Sequence, residues 1–266
     1  MKKVTILDLQ KMKNEAVKIS MLTAYDFRMA YILDTSGVDI LLVGDSVGNV
    51  FMGEDNTLSV TVDQMIYHTR AVVRGRKRSL VVTDMPFMSY QVSVEEARRN
   101  AGRMVKEGGA EAVKIEGGEN AAAVIQAISD MDVPVMGHIG LTPQSIHRMG
   151  GYRIQGREEQ QKQKLMADAV AVERAGAFAV VLEGIPQKLA KKITEKLKIP
   201  TIGIGAGLDC DGQVLVINDM LGLSGKFRPK FVKQYVQLER VIQEAVSTYI
   251  DEVKAQKFPQ DEFSFS

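Results

Sequence analysis

The sequence predicts an α/β fold, a closed (β/α)8 TIM barrel, and three observations carry that reading. The chain has 266 residues, near the roughly 250 of one such barrel. Eight short runs rich in Val and Ile lie at about 19–25, 39–45, 79–85, 110–117, 133–139, 178–183, 199–205 and 213–218. They show little polar alternation, as strands buried on both faces of a parallel sheet do. Amphipathic stretches of helix length separate most of them, the alternation expected of a parallel α/β fold. A doubly wound open sheet would use the same strands. The count of eight and the length favour the barrel.

Taken in order, residues 8–14 read as an early helix able to cap the barrel bottom. Helices follow at 26–36 and 62–74. In "SVEEARRNAGRMVKEGG", Ser93 is an N-cap with Glu96 three residues on, a capping box, and Gly108–Gly109 stop the helix. Further helices are expected at 120–129, 158–175 and 187–197, each followed by a strand run. The stretch 229–256 is helical by period and reads as one continuous helix. Residues 257–266, "KFPQDEFSFS", read as a short loose tail. Linkers, composition shifts and low-complexity tracts are lacking, so residues 1–266 are expected to form a single barrel domain with a long C-terminal helix.

Composition narrows the class. With 34 basic and 33 acidic residues the net charge is +1, which supports neither nucleic-acid binding nor a membrane surface. The local cluster "RGRKR" at 74–78 reads as a solvated turn. One cysteine, Cys210, forms no intrachain disulfide and fits a reducing compartment. "MKKVTILDLQKMK" lacks the apolar core of a signal peptide, and no apolar run is long enough to span a membrane. A cytoplasmic protein is expected.

Four of the apolar runs end in acids. "DILLVGDSVG" ends in Asp45 and Ser46, "SLVVTDMPF" in Asp84, "AEAVKIEGG" in Lys114 and Glu116, and "FAVVLEGIP" in Glu183. In a barrel the C-terminal strand ends share one mouth, where active sites are built. A single acid there could merely cap the next helix. Four are harder to explain so, because Glu116 and Glu183 each precede a Gly and lie several residues before a helix. Crowded carboxylates repel one another unless a cation or proton lies between them.

Hard oxygen donors suit Mg²⁺ or Mn²⁺. Zinc would ask for Cys and His, and the three histidines, His68, His138 and His147, show no HExxH or CxxC spacing. His68 lies inside a helical pattern and reads as structural. His138, in "VPVMGHIGLTP", ends the fifth run and divides evenly between structural and site roles. Lys114 shares a strand face with Glu116, where it either holds an anionic substrate or forms an ion pair. "GIGAG" at 203–207 lacks a full dinucleotide fingerprint and reads as a strand end or tight turn. A P-loop motif is absent from the sequence.

Nine blocks in order, "MLTAYDF", "LLVGDSVGNV", "VVTDMPFMSY", "AVKIEGG", "GHIGLTPQSIHRMGGYRIQG", "VLEGIP", "IGIGAG", "CDGQVLV" and "PKFVKQY", closely resemble the ketopantoate (3-methyl-2-oxobutanoate) hydroxymethyltransferase family. The resemblance covers residues 4–236. It implies a TIM barrel of the phosphoenolpyruvate/pyruvate type. It also implies transfer of a hydroxymethyl group from 5,10-methylenetetrahydrofolate to 3-methyl-2-oxobutanoate (α-ketoisovalerate), giving 2-dehydropantoate through a Mg-stabilised enolate, in pantothenate and coenzyme A biosynthesis. One Mg²⁺ per subunit would be held by Asp45, Asp84 and Glu116. Asp45, Ser46, Asp84, Lys114 and His138 would bind substrate. Glu183 would be the catalytic proton acceptor, with Val180, Val181 and Leu182 lining part of an apolar setting for it. The resemblance further implies a homodecamer of two five-membered rings. The rival readings are a Mg-dependent C–C lyase or mutase of the phosphoenolpyruvate mutase/isocitrate lyase type, whose Lys-Lys-Cys-Gly-His type of loop is missing here, and a non-catalytic ring-forming barrel, which would have lost the acids.

Overall fold

The structure is a computed structural model describing residues 2–151, 153–225 and 229–265. Met1, Tyr152, residues 226–228 and Ser266, the end of the expected tail, lie outside the described residues. The chain divides into two compact units, Met1–Val216 and Ile217–Ser266.

The first unit is a closed barrel of eight parallel strands in sequence order, β1-β2-β3-β4-β5-β6-β7-β8, with β8 pairing back onto β1. The strands are β1 Ile19–Thr23, β2 Ile40–Val43, β3 Leu80–Asp84, β4 Ala112–Glu116, β5 Val135–Gly140, β6 Ala179–Glu183, β7 Thr201–Ile204 and β8 Gly212–Leu215. Alternation sends every second residue inward. The inward positions of the lower layers form one apolar cluster that includes Met21, Ile40, Leu42, Leu80, Val82, Ala112, Met136, Ala179, Val181 and Ile202. The other face of each strand is buried under helices, and for this reason β2 through β5 carry no exposed position.

Helix α1 (Ile6–Asn14) starts at a Thr5/Asp8 capping box and puts Leu9, fully buried, into the bottom of the barrel cluster. It closes the bottom, as its sequence position suggested. Helices α2 (Phe27–Thr35), α3 (Val47–Val50) and α4 (Val62–Gly75) follow, then α5 (Val94–Arg103) with a π-helical last turn, Met104–Gly108. Ser93 Oγ accepts the Glu96 N–H at 3.1 Å, the first half of the expected capping box. Gly109 stops the helix in the left-handed region at φ 79°, where a Cβ is disfavoured. Helices α6 (Ala122–Ser129), α7 (Ile146–Met149), α8 (Glu159–Arg174) and α9 (Gln187–Lys196) complete the first unit.

Three elements differ from expectation. The eighth run, read as 213–218, is a strand only to Leu215, where its register with β1 ends at the Leu22–Leu215 pair. The following residues form α10 (Ile217–Leu221) in the second unit. The C-terminal helix is α11, Leu238–Lys254, and is not continuous from residue 229. Ahead of it Tyr235 N–H is bonded to Met220 O at 2.9 Å rather than to a helical carbonyl. The tail is less loose than its composition suggested. Phe258 sets its ring 5.7 Å from that of Tyr249 and 5.9 Å from that of Phe263, and Asp261–Phe263 make a 3₁₀ turn.

The turn at 74–78 also departs from a solvated loop. Asp34, on α2, is buried and accepts the N–H groups of Lys77 (2.9 Å), Arg78 (2.9 Å) and Ser79 (2.7 Å), and the Ser79 hydroxyl (2.8 Å). Arg76 reaches Glu111 at 2.9 Å and Arg78 reaches Asp39 at 2.7 Å. Arg76 and Arg78 thus pin the entry to β3. Burial works to raise the Asp34 pKa, but the four donors outweigh it and hold the carboxyl below its usual range. Its contribution is therefore present above the unfolded value of about 3.9 and is lost as pH falls through the lower folded value. Asp34→Ala is expected to lower unfolding free energy at pH 7 by about 2–3 kcal/mol, since buried donors lose their acceptor. In denaturant titrations the gap to the parent should narrow below about pH 4. A gap that holds constant to pH 2 would exclude the ionised carboxylate as its source.

Candidate active site

The strand register explains how the acids meet. Asp84 on β3 stands opposite Lys114 on β4, and Glu116 stands opposite His138 on β5. On β6, Glu183 stands opposite Gly140. Asp84, Lys114, Glu116, His138 and Glu183 each lie an even number of residues above an apolar member of the barrel cluster on the same strand. They therefore form the inward top layer of the barrel. Asp45 and Ser46 follow β2, at the start of α3. Gly44 gives Ser46 room, since a Cβ there would stand 2.7 Å from the Ser46 Oγ.

Lys114 is the centre of the site. Its Nζ lies 2.9 Å from Asp84 Oδ1 and 3.1 Å from His138 Nδ1. His138 Nδ1 is 3.4 Å from Glu116 Oε1, and its Nε2 is 3.2 Å from Glu183 Oε2. All these side chains are nearly buried; the Glu183 side chain is the most open, at 13% exposure. Ser46 Oγ hydrogen-bonds the hydroxyl of buried Tyr25 at 2.9 Å, and the Tyr25 carbonyl meets His68 Nδ1 at 2.7 Å. His68 thus has the structural place its helix predicted. His147 lies on α7 and is exposed.

The electrostatics record a surplus of negative charge. Burial drives the Asp45 pKa well above the usual carboxylate range, reinforced by Asp84 and Glu116. Burial acts likewise on Glu116, but His138 and Lys114 outweigh it and hold that carboxyl low. Burial opposes the charge on Lys114, yet Asp84, Glu116 and Asp45 hold its pKa above the ordinary lysine value. His138 is opposed by burial and by Lys114, but Glu116 and Glu183 raise it to about 9. Its Nδ1 stands between Lys114 Nζ and Glu116 Oε1, and its Nε2 faces Glu183.

Within the site two buried polar atoms lack an aligned partner, Asp84 Oδ1 and His138 Nε2. Lys114 Nζ and Glu183 Oε2 are near them in distance but out of line for a hydrogen bond. A buried carboxylate oxygen beside Asp45 fits a hard divalent cation; a buried ring nitrogen beside it fits an anionic oxygen. Among the described residues no three His, Cys, Asp or Glu side chains make a ready-made metal cage.

Sequence reasoning missed two side chains. Gln144 donates from Nε2 to Asp45 Oδ2 and to Met85 O, both at 2.9 Å, and from its backbone N–H to Glu116 Oε2 at 3.0 Å. Tyr90 sets its hydroxyl 2.8 Å from Gln144 Oε1 and 3.2 Å from Glu116 O. Both lie in loops after strand ends, within the blocks "VVTDMPFMSY" and "GLTPQS", which was the available signal. Of the three residues expected to line Glu183, only Val181 shares its face. Val180 and Leu182 point to the helix side of β6, because a strand alternates. "GIGAG" is a tight turn: Gly205 and Gly207 have φ of 61° and 83°, and a Cβ on Gly207 would stand 2.3 Å from the Gln187 side chain.

The chain is similar to several solved structures. A phosphonopyruvate hydrolase complexed with oxalate and Mg²⁺ superposes with a TM-score of 0.64 at 11% identity, over 99% of this chain and 92% of that one. A phosphoenolpyruvate phosphomutase from Streptomyces platensis gives 0.64 at 14% identity, over 95% and 88%. At such identities the likeness shows the shared barrel alone. Sequence relatives are far nearer. The 3-methyl-2-oxobutanoate hydroxymethyltransferase of Pelobacter propionicus is 64% identical over 265 residues, covering 100% of this chain and 98% of that one. The enzyme of the same name from Geobacter metallireducens is also 64% identical, over 100% and 99%. The family model described as ketopantoate hydroxymethyltransferase matches residues 3–261, so the chain belongs to that enzyme family.

Proposed function

We propose that the enzyme transfers a hydroxymethyl group from 5,10-methylenetetrahydrofolate to 3-methyl-2-oxobutanoate, with water consumed and tetrahydrofolate and 2-dehydropantoate released. The observation that carries this reading is the pair of buried atoms that face an ion-pair partner without an aligned hydrogen bond, Asp84 Oδ1 and His138 Nε2. A divalent cation and an anionic 2-oxo acid would satisfy one each. The names of the relatives support the same substrate.

In this reading Asp45, Asp84 and Glu116 would hold one Mg²⁺ per subunit. When bound, Mg²⁺ would supply Lewis-acid polarisation of the oxo group, withdrawing electron density from carbon 3. Lys114 and His138 would offset the substrate carboxylate's charge, and Ser46, held by Tyr25, would donate a hydrogen bond to it; Asp45 and Asp84 would border the bound acid. Glu183, the most open of the layer, would take the carbon-3 proton. The enolate carbon would then attack the folate methylene, with orientation supplied by the shared mouth. All seven residues lie in the unit Met1–Val216, which supports a single catalytic domain. No helix among the described residues is long and apolar enough to cross a membrane. A cytoplasmic homodecamer is part of the proposal and rests on the family resemblance.

The decisive experiment is proton exchange without folate. Incubated with 3-methyl-2-oxobutanoate in heavy water, the enzyme should wash out the carbon-3 proton signal with Mg²⁺ and spare it with EDTA. Protection of that proton in both conditions, and no ketopantoate after adding methylenetetrahydrofolate, would overturn the reading. Glu183→Gln should slow exchange by at least about 100-fold while keeping the Mg²⁺-dependent rise in melting temperature that the oxo acid confers. Equal loss of both would move Glu183 to the binding shell. Asp84→Ala is expected to lose metal-dependent binding of the oxo acid in calorimetry, and undiminished binding would remove Asp84 from the cation site.

A further inference from the structure

We infer that Gln144 is a positioning residue that decides which oxygen of Asp45 and of Glu116 is turned to the cation. The inference rests on the reading of the barrel mouth as a divalent-cation site. Gln144 is buried and sits in the 3₁₀ turn Pro143–Ser145 that follows β5. That turn is anchored: Leu141 N–H donates to Glu183 O at 2.8 Å. It leaves β5 at Gly140, whose φ is 97° and where a Cβ would stand 2.2 Å from Glu183 O. A side chain cannot replace this glycine without shifting β6, so the height of Gln144 above the barrel is set by the sheet.

The amide has one orientation. Its Oε1 meets the Tyr90 hydroxyl at 2.8 Å and accepts from Gln91 Nε2 at 3.2 Å. Its Nε2 donates to Asp45 Oδ2 and to Met85 O. A carbonyl oxygen only accepts, and a side-chain amide nitrogen only donates. Rotating the amide by half a turn would set oxygen against Met85 O and Asp45 Oδ2, and nitrogen against the Gln91 amide. The network therefore assigns Nε2 to Asp45.

The result is a pattern shared by three acids. Each has one oxygen tied by a neutral N–H: Asp45 Oδ2 by Gln144 Nε2, Glu116 Oε2 by the Gln144 backbone, and Asp84 Oδ2 by the Asp45 backbone at 3.0 Å. The second oxygen of Asp84 and of Glu116 is the one that faces Lys114 and His138. A neutral tie restrains the carboxylate without cancelling the charge that attracts a cation. A lysine or arginine at position 144 would compete with the cation, and an acid would add to the repulsion already raising Asp45. A glutamine supplies the donor that the acids need and an acceptor for Tyr90.

The test uses Mn²⁺ as a spectroscopic probe of the cation site, read by electron paramagnetic resonance without substrate. Melting curves in EDTA report folding separately. Gln144→Leu is expected to bind Mn²⁺ about 10–100-fold more weakly than the parent, the usual consequence of removing an outer partner of a metal ligand. Tyr90→Phe keeps the glutamine but removes one of the two donors that hold its Oε1, and should weaken Mn²⁺ in the same direction by several-fold. Folded Gln144→Leu with parental Mn²⁺ affinity would overturn the inference; if that variant does not fold, parental affinity in Tyr90→Phe would do so. Mn²⁺ binding by the parent and its loss in Asp84→Ala test the cation site itself. A parent that binds no Mn²⁺ would overturn that reading and this inference with it, and is recognised before any Gln144 variant is measured.

Discussion

The two-residue period of a closed parallel barrel is the constraint on which everything else depends. Closure removes the sheet edges and gives each strand one inner and one outer face. On β3 the inner face reads Leu80, Val82, Asp84, and on β4 Ala112, Lys114, Glu116. The lower positions fill the barrel with hydrocarbon, and the upper positions deliver charge. A slip of one residue on β4 would turn Lys114 and Glu116 into the helix layer and bring Val113 and Ile115 inside. Fold and site are specified by the same alternation, so the core holds the charged layer in register.

That layer is held at an energetic disadvantage. Burying several carboxylates with too few cations is unfavourable, and removing one partner of such a set is worse than never burying it. The structure manages the disadvantage in two ways. Lys114 and His138 sit among the acids as counter-charges. Neutral N–H groups from Gln144 and from the Asp45 backbone tie one oxygen of each of three acids. What remains is directional, an oxygen of Asp84 and a ring nitrogen of His138 without aligned partners. A protein selected only for stability would not retain such a cluster.

The solved barrels superpose on this chain at 11–14% identity, while its named relatives share 64%. The contrast separates two kinds of information. Barrel geometry is reproduced by any sequence that keeps inward apolar layers and outward helices. In the proposed reading the chemistry rests on the top layer and on loop residues such as Tyr90 and Gln144, which can change without disturbing the layers beneath.

Much of this was legible in the residues alone. Val- and Ile-rich runs, capping residues such as Thr5 and Ser93, and acids at strand ends are local signals, and local signals survive without tertiary context. Asp45, Asp84, Glu116 and Glu183 were found because strand ends in this architecture converge. The helix start at Leu238 was not legible, because Tyr235 chooses a partner on α10 over its own helical carbonyl. The basic turn at 74–78 was read as solvated because Asp34 and Glu111, which bind it, are about 30–45 residues away in the chain. Gln144 was missed since a glutamine acquires meaning only from what surrounds its amide. The sequence by itself determined the strand count, the inward face of each strand and the types of charge at the mouth. Tertiary structure alone decided which oxygen faces which nitrogen, since hydrogen-bond direction depends on ångström-scale placement that no linear pattern encodes.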